Sequence, residues 1–142
     1  MDFETFKNGG FTSGSFLNFT PAVAYKKLME TGCFLLDVRE KSLTAYKCFD
    51  VPKVIYLPCS ELSQRLNELS AEEFYIVADS TGLRSHESME ILSRAGFKHI
   101  ANLAGGIVEW ERDEFPLQIN TSEQLDGSCM CQLRPRMRLK KR

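Results

Sequence analysis

Four short apolar runs set the tightest limit on how this chain can fold. They are CFLLDV (33–38), VIYL (54–57), FYIVA (74–78) and KHIANL (98–103). Each has strand length, and each gives way to turn residues or to a stretch with helical spacing. Thr20 and Pro21 read as a helix cap and first-turn proline, and Gly32 as the stop, with Val23, Leu28 and Met29 on the apolar side. Ser60 is placed to cap a helix over ELSQRLNEL, where Leu62, Leu66 and Leu69 recur at spacings of four and three. A further helix is expected from about Arg84 to Ala95, turning Met89, Leu92 and Ile91 inward and ending at Gly96. GGIVEWE (105–111) starts another short helix, and FPLQI (115–119) reads as the exit from the domain. Strands alternating with helices predict an α/β fold with a central, mostly parallel sheet flanked by helices. In such sheets, sites form beyond the carboxyl ends of the strands. The loops after Val38, Leu57, Ala78 and Leu103 should therefore share one face.

The 142 residues suffice for one domain with its own core. We expect that domain over residues 18–118, after a loosely ordered arm (1–17) rich in Gly, Ser, Thr and Phe and before a tail (119–142). No apolar run approaches the length of a membrane span, and MDFETFKNGG carries acids where a signal peptide carries basic and then apolar residues. The expected location is cytoplasmic. Five cysteines, odd in number and unevenly spaced, fit reduced thiols better than a disulfide framework. A net charge of −1 conceals an asymmetry. The last eleven residues, QLRPRMRLKKR, hold six basic groups, leaving 12 Lys and Arg against 19 acids in the rest, a net −7.

The stretch VADSTGLRSHESMEIL (77–92) runs from a strand through a tight turn into a helix. Such a junction gathers backbone N–H groups into a cradle suited to an anion. Its mouth is held by Asp79, itself an anion.

The order LLDVRE, then VPKVIYLP with a helix after it, then IVADSTGLRS, then GFKHIANLAGGIVEW resembles the rhodanese-like domain across roughly residues 18–118. The most specific part is NLAGGIVEW. The resemblance implies sulfur transfer through a cysteine persulfide, with the cysteine opening a six-residue loop that ends in arginine. Here that loop is Asp79-Ser80-Thr81-Gly82-Leu83-Arg84, followed by Ser85. Length, glycine and terminal arginine match. Asp79 stands in the cysteine's place, and Ser80 where a basic residue is common. Sulfur transfer needs a polarizable thiolate, whose charge the loop N–H groups stabilise. A carboxylate forms no persulfide. Asp79 is expected instead to accept hydrogen bonds from the loop and plug the cradle, or more simply to cap the following helix. The resemblance also assigns Asp37 and Arg39 to support of a loop, with Arg39 an alternative rim charge.

Other residues carry weaker signals. His86, beside the loop, reads as an acid–base group or, more simply, as an exposed helix residue. His99 and Trp110 read as structural, and Gly105 and Gly106 as a tight turn or a close backbone approach. Cys33 should be buried, while Cys48 and Cys59 read as loop thiols. Cys129 and Cys131 form a Cys-x-Cys pair beside Arg134, Arg136 and Arg138, which would favour thiolates. Such a pair can close a disulfide, bind a soft metal or pass sulfur. No resident metal site or cofactor is expected. The basic tail leaves phosphate contacts with a nucleic acid open, although no aromatic residue is interleaved for stacking.

Three functions fit these readings. One is a rhodanese-like binding or regulatory module without sulfurtransferase activity, meeting a protein or small-molecule partner at the active face. Another is a sulfur or redox carrier working through Cys129 and Cys131. The last is a cysteine-to-aspartate variant of an active sulfurtransferase.

Overall fold

The structure is a computed structural model and describes residues 2–120. Cys129, Cys131 and the basic segment lie outside the described residues. A six-stranded sheet forms the centre. Its strands are β1 (Phe11–Ser13), β2 (Phe16–Phe19), β3 (Phe34–Asp37), β5 (Val54–Tyr56), β6 (Tyr75–Ala78) and β7 (Ile100–Leu103). A separate pair consists of β4 (Lys47–Phe49) and β8 (Leu117–Ile119). The central order is β1-β2-β7-β6-β3-β5, parallel throughout except for the β1–β2 hairpin. The helices are α1 (Phe3–Lys7), α2 (Pro21–Glu30), α3 (Lys41–Tyr46), α4 (Cys59–Leu62), α5 (Arg84–Arg94) and α6 (Gly106–Arg112).

Every residue of β6 and of β7 is buried, as a parallel sheet covered on both faces demands. Alternation along the strands divides the interior in two. Leu35, Ile76, Ala101, Leu103 and Phe19 pack with Leu28 of α2 and with Ile107 and Trp110 of α6. Leu36, Val77, Tyr75 and Ile100 pack on the other face with Leu62 of α4 and with Met89 and Leu92 of α5. The parallel strands end together, so the loops after Val38, Leu57, Ala78 and Leu103 lie at one end of the sheet, as expected.

The Thr20 hydroxyl caps α2 by accepting from Val23 N at 3.4 Å, and Pro21 fills the first turn. Leu28 is buried, but Met29 is 48% exposed and so leaves the expected apolar side. Gly96 has φ of 97° and terminates α5 as the sequence required.

Four expectations need correction. The arm expected over residues 1–17 is ordered where it is described: Asp2 caps α1, Phe6 is fully buried, and the β1–β2 hairpin extends the sheet beside β7. Phenylalanines at 3, 6, 16 and 19 supply the packing that a Gly- and Ser-rich composition concealed. The helix over 61–69 is instead α4 followed by a 3₁₀ turn at Leu66–Glu68. Successive i→i−3 bonds from Gln64, Arg65, Glu68 and Leu69 tighten the backbone there. Ser60 does not cap α4, which begins after Pro58, and its hydroxyl donates to Glu40 at 3.1 Å. Finally, FPLQI does not leave the domain, because Leu117–Ile119 pairs antiparallel with Lys47–Phe49.

Candidate functional site

The loop between β6 and α5 is built around the Asp79 carboxylate, which is 3% exposed. One carboxylate oxygen accepts from Gly82 N in a short hydrogen bond, and the other accepts from Arg84 N at 2.6 Å and Ser85 N at 3.1 Å. The last two N–H groups open α5, where no partner within the helix exists for them. Asp79 thus caps the helix from five residues back and fills the loop at the same time. The plug and the helix cap, weighed as alternatives from the sequence, are one arrangement. Arg84 contributes its backbone, and its side chain is exposed.

The turn after β7 presses against this loop. Gly105 and Gly106 have φ of 78° and 60°. Asp79 O accepts from Ile107 N at 2.9 Å, and Ser80 O accepts from Val108 N at 3.0 Å. A Cβ on Gly106 would stand 2.5 Å from Asp79 O, and one on Gly82 3.1 Å from Gly105 N. The two glycine turns are therefore fitted backbone to backbone.

A buried polar chain, which the sequence reading missed, supports the loop from below. Ser85 Oγ lies 3.0 Å from Gly82 O and forms a short hydrogen bond to Asn102 Oδ1. Asn102 Nδ2 donates to Asn18 Oδ1 at 2.7 Å, and Asn18 Nδ2 donates to Phe16 O at 3.0 Å. The signal available was an asparagine inside each of two otherwise apolar strands, at 18 and at 102.

The β3 end carries a second construction. Asp37 is fully buried and pairs with Arg39, Nη2 to Oδ2 at 2.8 Å and Nε to Oδ1 at 3.0 Å. Arg39 also donates to Lys47 O at 2.7 Å and lies over the Phe49 ring. With 6% of its surface exposed, Arg39 is no rim charge; it ties the β3 end to β4.

Ser80 is half-buried, and Thr81 and Leu83 are exposed, Leu83 to 77%. His86 does not project freely from the helix. It is half-buried, with its ring 6.0 Å from that of Phe16, and lines a cavity of about 310 Å³ under the β1–β2 hairpin. His99 stacks on Phe74 at 4.3 Å, and Trp110 is buried and donates to Pro116 O at 2.8 Å. Cys33 and Cys59 are buried free thiols, and Cys48 is buried in β4. Burial pushes the Cys33 thiol above the ordinary thiol range. Among the described residues no group of three His, Cys, Asp or Glu is placed to hold a metal, and no helix is long and apolar enough to cross a membrane.

Residues 20–113 match the family described as the rhodanese-like domain. The chain belongs to that family. A rhodanese-related protein from Thermoplasma volcanium has the same fold, with a TM-score of 0.64 and 27% identity over 72% of this chain and 98% of its own. Thiosulfate sulfurtransferase GlpE of Actinobacillus pleuropneumoniae serotype 5b is 26% identical over 106 residues, covering 75% of this rhodanese-like chain and 96% of the relative. A Bacillus subtilis protein named as a sulfur carrier, YrkF, is 35% identical over 77 residues. That match covers 54% of this chain but 40% of YrkF, so the rhodanese-like chain corresponds to less than half of that relative.

Proposed function

We propose that this rhodanese-like domain does not carry sulfur on its loop and works as a binding or regulatory module through the loop face. The observation that supports this most directly is the Asp79 carboxylate, buried in the cradle and accepting from three of its N–H groups. Persulfide formation requires a thiolate to attack a sulfane sulfur, with the sulfur–sulfur bond breaking and sulfite leaving with the electron pair. Asp79 supplies no thiolate, and its negative charge occupies the donors that would hold an incoming anion. What the face offers outward is an exposed Leu83 at the loop apex and the exposed Arg84 beside it.

The test is the intact mass of the reduced protein after incubation with thiosulfate. The parent should gain nothing, and Asp79→Cys should gain one sulfur that cyanide removes. A sulfur gain in the parent overturns the proposal. If that gain vanishes when Cys129 and Cys131 are both changed to serine, the domain is a carrier working from its tail thiols.

A further inference from the structure

On its outer side the start of α5 carries two complementary features next to each other. One is a knob made of Leu83 and Arg84. Leu83 is 77% exposed on a backbone fixed by the Asp79 hydrogen bonds and by the Gly82–Gly105 contact. The other is the cavity of about 310 Å³ under the β1–β2 hairpin, walled by Phe16, His86, Glu87, Glu90 and the turn at 13–15. Glu87 and Glu90 are exposed acids, and among the described residues neither they nor Arg84 form an ion pair. An apolar side chain with a neighbouring guanidinium is what this cavity would take. Phe16 offers an apolar wall, and the two carboxylates suit a planar cation.

We propose that the occupant is a second copy of this chain, docked two-fold along α5. A surface that carries both knob and hole satisfies a two-fold contact twice, because each copy inserts and receives. Helix geometry fits that arrangement. Arg84 and Glu90 are six residues apart, a rise of about 9 Å along α5. With the two helices antiparallel and the axis near Glu87, Arg84 of each copy meets the partner copy's Glu90. Leu83 then reaches the Phe16 wall. The two Arg84–Glu90 attractions are exposed and so weakened by salt, and the two Glu87 carboxylates facing each other near the axis oppose them, which keeps the association reversible. The contact adjoins the loop but does not depend on whether position 79 carries sulfur. Its failure would therefore leave the mass experiment untouched.

Sedimentation equilibrium of the full chain, from low to high micromolar concentration and at two salt strengths, tests the proposal. The expected result is a weight-average mass rising from 16.2 kDa toward twice that value with concentration, and falling back at high salt. Arg84→Glu alone and Glu90→Arg alone should each return the chain to monomer, because each places like charges opposite each other. Mixed together, those two variants regain opposite charges at both contacts and should form a heterodimer. A monomer at every concentration overturns the proposal. So does a dimer indifferent to Arg84→Glu, or a mixture of the two variants that fails to associate.

Discussion

Asp79 is held by three N–H donors, and those donors are the measurable consequence of its position. Asp79→Ala leaves them in a buried pocket with no acceptor. An unsatisfied buried polar group costs about 1–3 kcal/mol, so a destabilisation of that order is expected in a buffer without oxyanions. Sulfate should then enter the vacated cradle and recover part of the loss, because a ligand that binds only the folded state raises its stability. The measurement is thermal unfolding of parent and Asp79→Ala with and without sulfate. An equal response of both proteins would dispose of the plug. The Asp37–Arg39 pair makes a different demand. Arg39→Met strands a carboxylate that is fully buried, and breaking a buried pair from one side costs about 3–5 kcal/mol. Asp37→Leu combined with Arg39→Met removes both charges and should be markedly more stable than Arg39→Met alone. If denaturant unfolding finds the double variant as weak as the single one, the two residues act through packing rather than charge.

At the scale of elements, the alternation of apolar runs with helical spacing was enough to place β3, β5, β6 and β7 together with α2, α5 and α6, but not β2. It was enough because strands buried on both faces are apolar at nearly every position, with Asp37 and Asn102 the exceptions in β3 and β7, and such runs stand out in a sequence. The N–H cradle between β6 and α5 was legible for a related reason: a strand, a turn and a helix start leave few ways to arrange the N–H groups. The short elements were not legible. In the stretch after Pro58, leucines at spacings of four and three fit a helix, yet the chain takes one short helix and a 3₁₀ turn that still buries Leu62 and Leu69. The β4–β8 pair joins segments about seventy residues apart, and local pattern carries no record of such pairing. The Asn18–Asn102–Ser85 chain likewise exists only once β2, β7 and α5 are side by side. Gly105 and Gly106, read as a tight turn or a close backbone approach, form both, and substitution can measure the approach. Gly96→Ala places a side chain at φ of 97° with nothing within 4 Å, so its cost should be conformational, about 1–2 kcal/mol. Gly106→Ala adds a Cβ 2.5 Å from Asp79 O and Ser80 O and should cost clearly more. It should also speed amide exchange at Ile107 and Val108, whose N–H groups bond those carbonyls. Equal costs at the two glycines would mean that the turn and the loop move apart freely.

Across the whole molecule, the segment before the matched family region is bound into the core rather than appended to it. Phe6 packs against Phe19 and Phe74 with ring centroids 5.3 and 5.0 Å apart. Lys27, reaching over from α2, lies 5.2 Å from the Phe19 ring centroid and donates to Thr5 O at 3.4 Å, near the carboxyl end of α1. Lys27 is 9% exposed, and this burial lowers its pKa below the ordinary lysine value, against a smaller opposing pull from Cys33. The lowered value fixes the sign of a pH effect. As pH rises through the folded value, the folded protein gives up this proton while the unfolded chain still holds it, so within the window unfolding is opposed more strongly at higher pH. Below the window the buried ammonium is a standing cost, offset in part by Thr5 O and the Phe19 ring. Lys27→Met keeps the apolar stem and removes the charge. Its stability relative to the parent should therefore be greatest near neutral pH and should decline as pH approaches the ordinary lysine range. Urea unfolding of both proteins across that range reads the difference directly. A difference that stays constant would show that Lys27 keeps the same pKa in the folded and unfolded states, and that its burial imposes no charge cost.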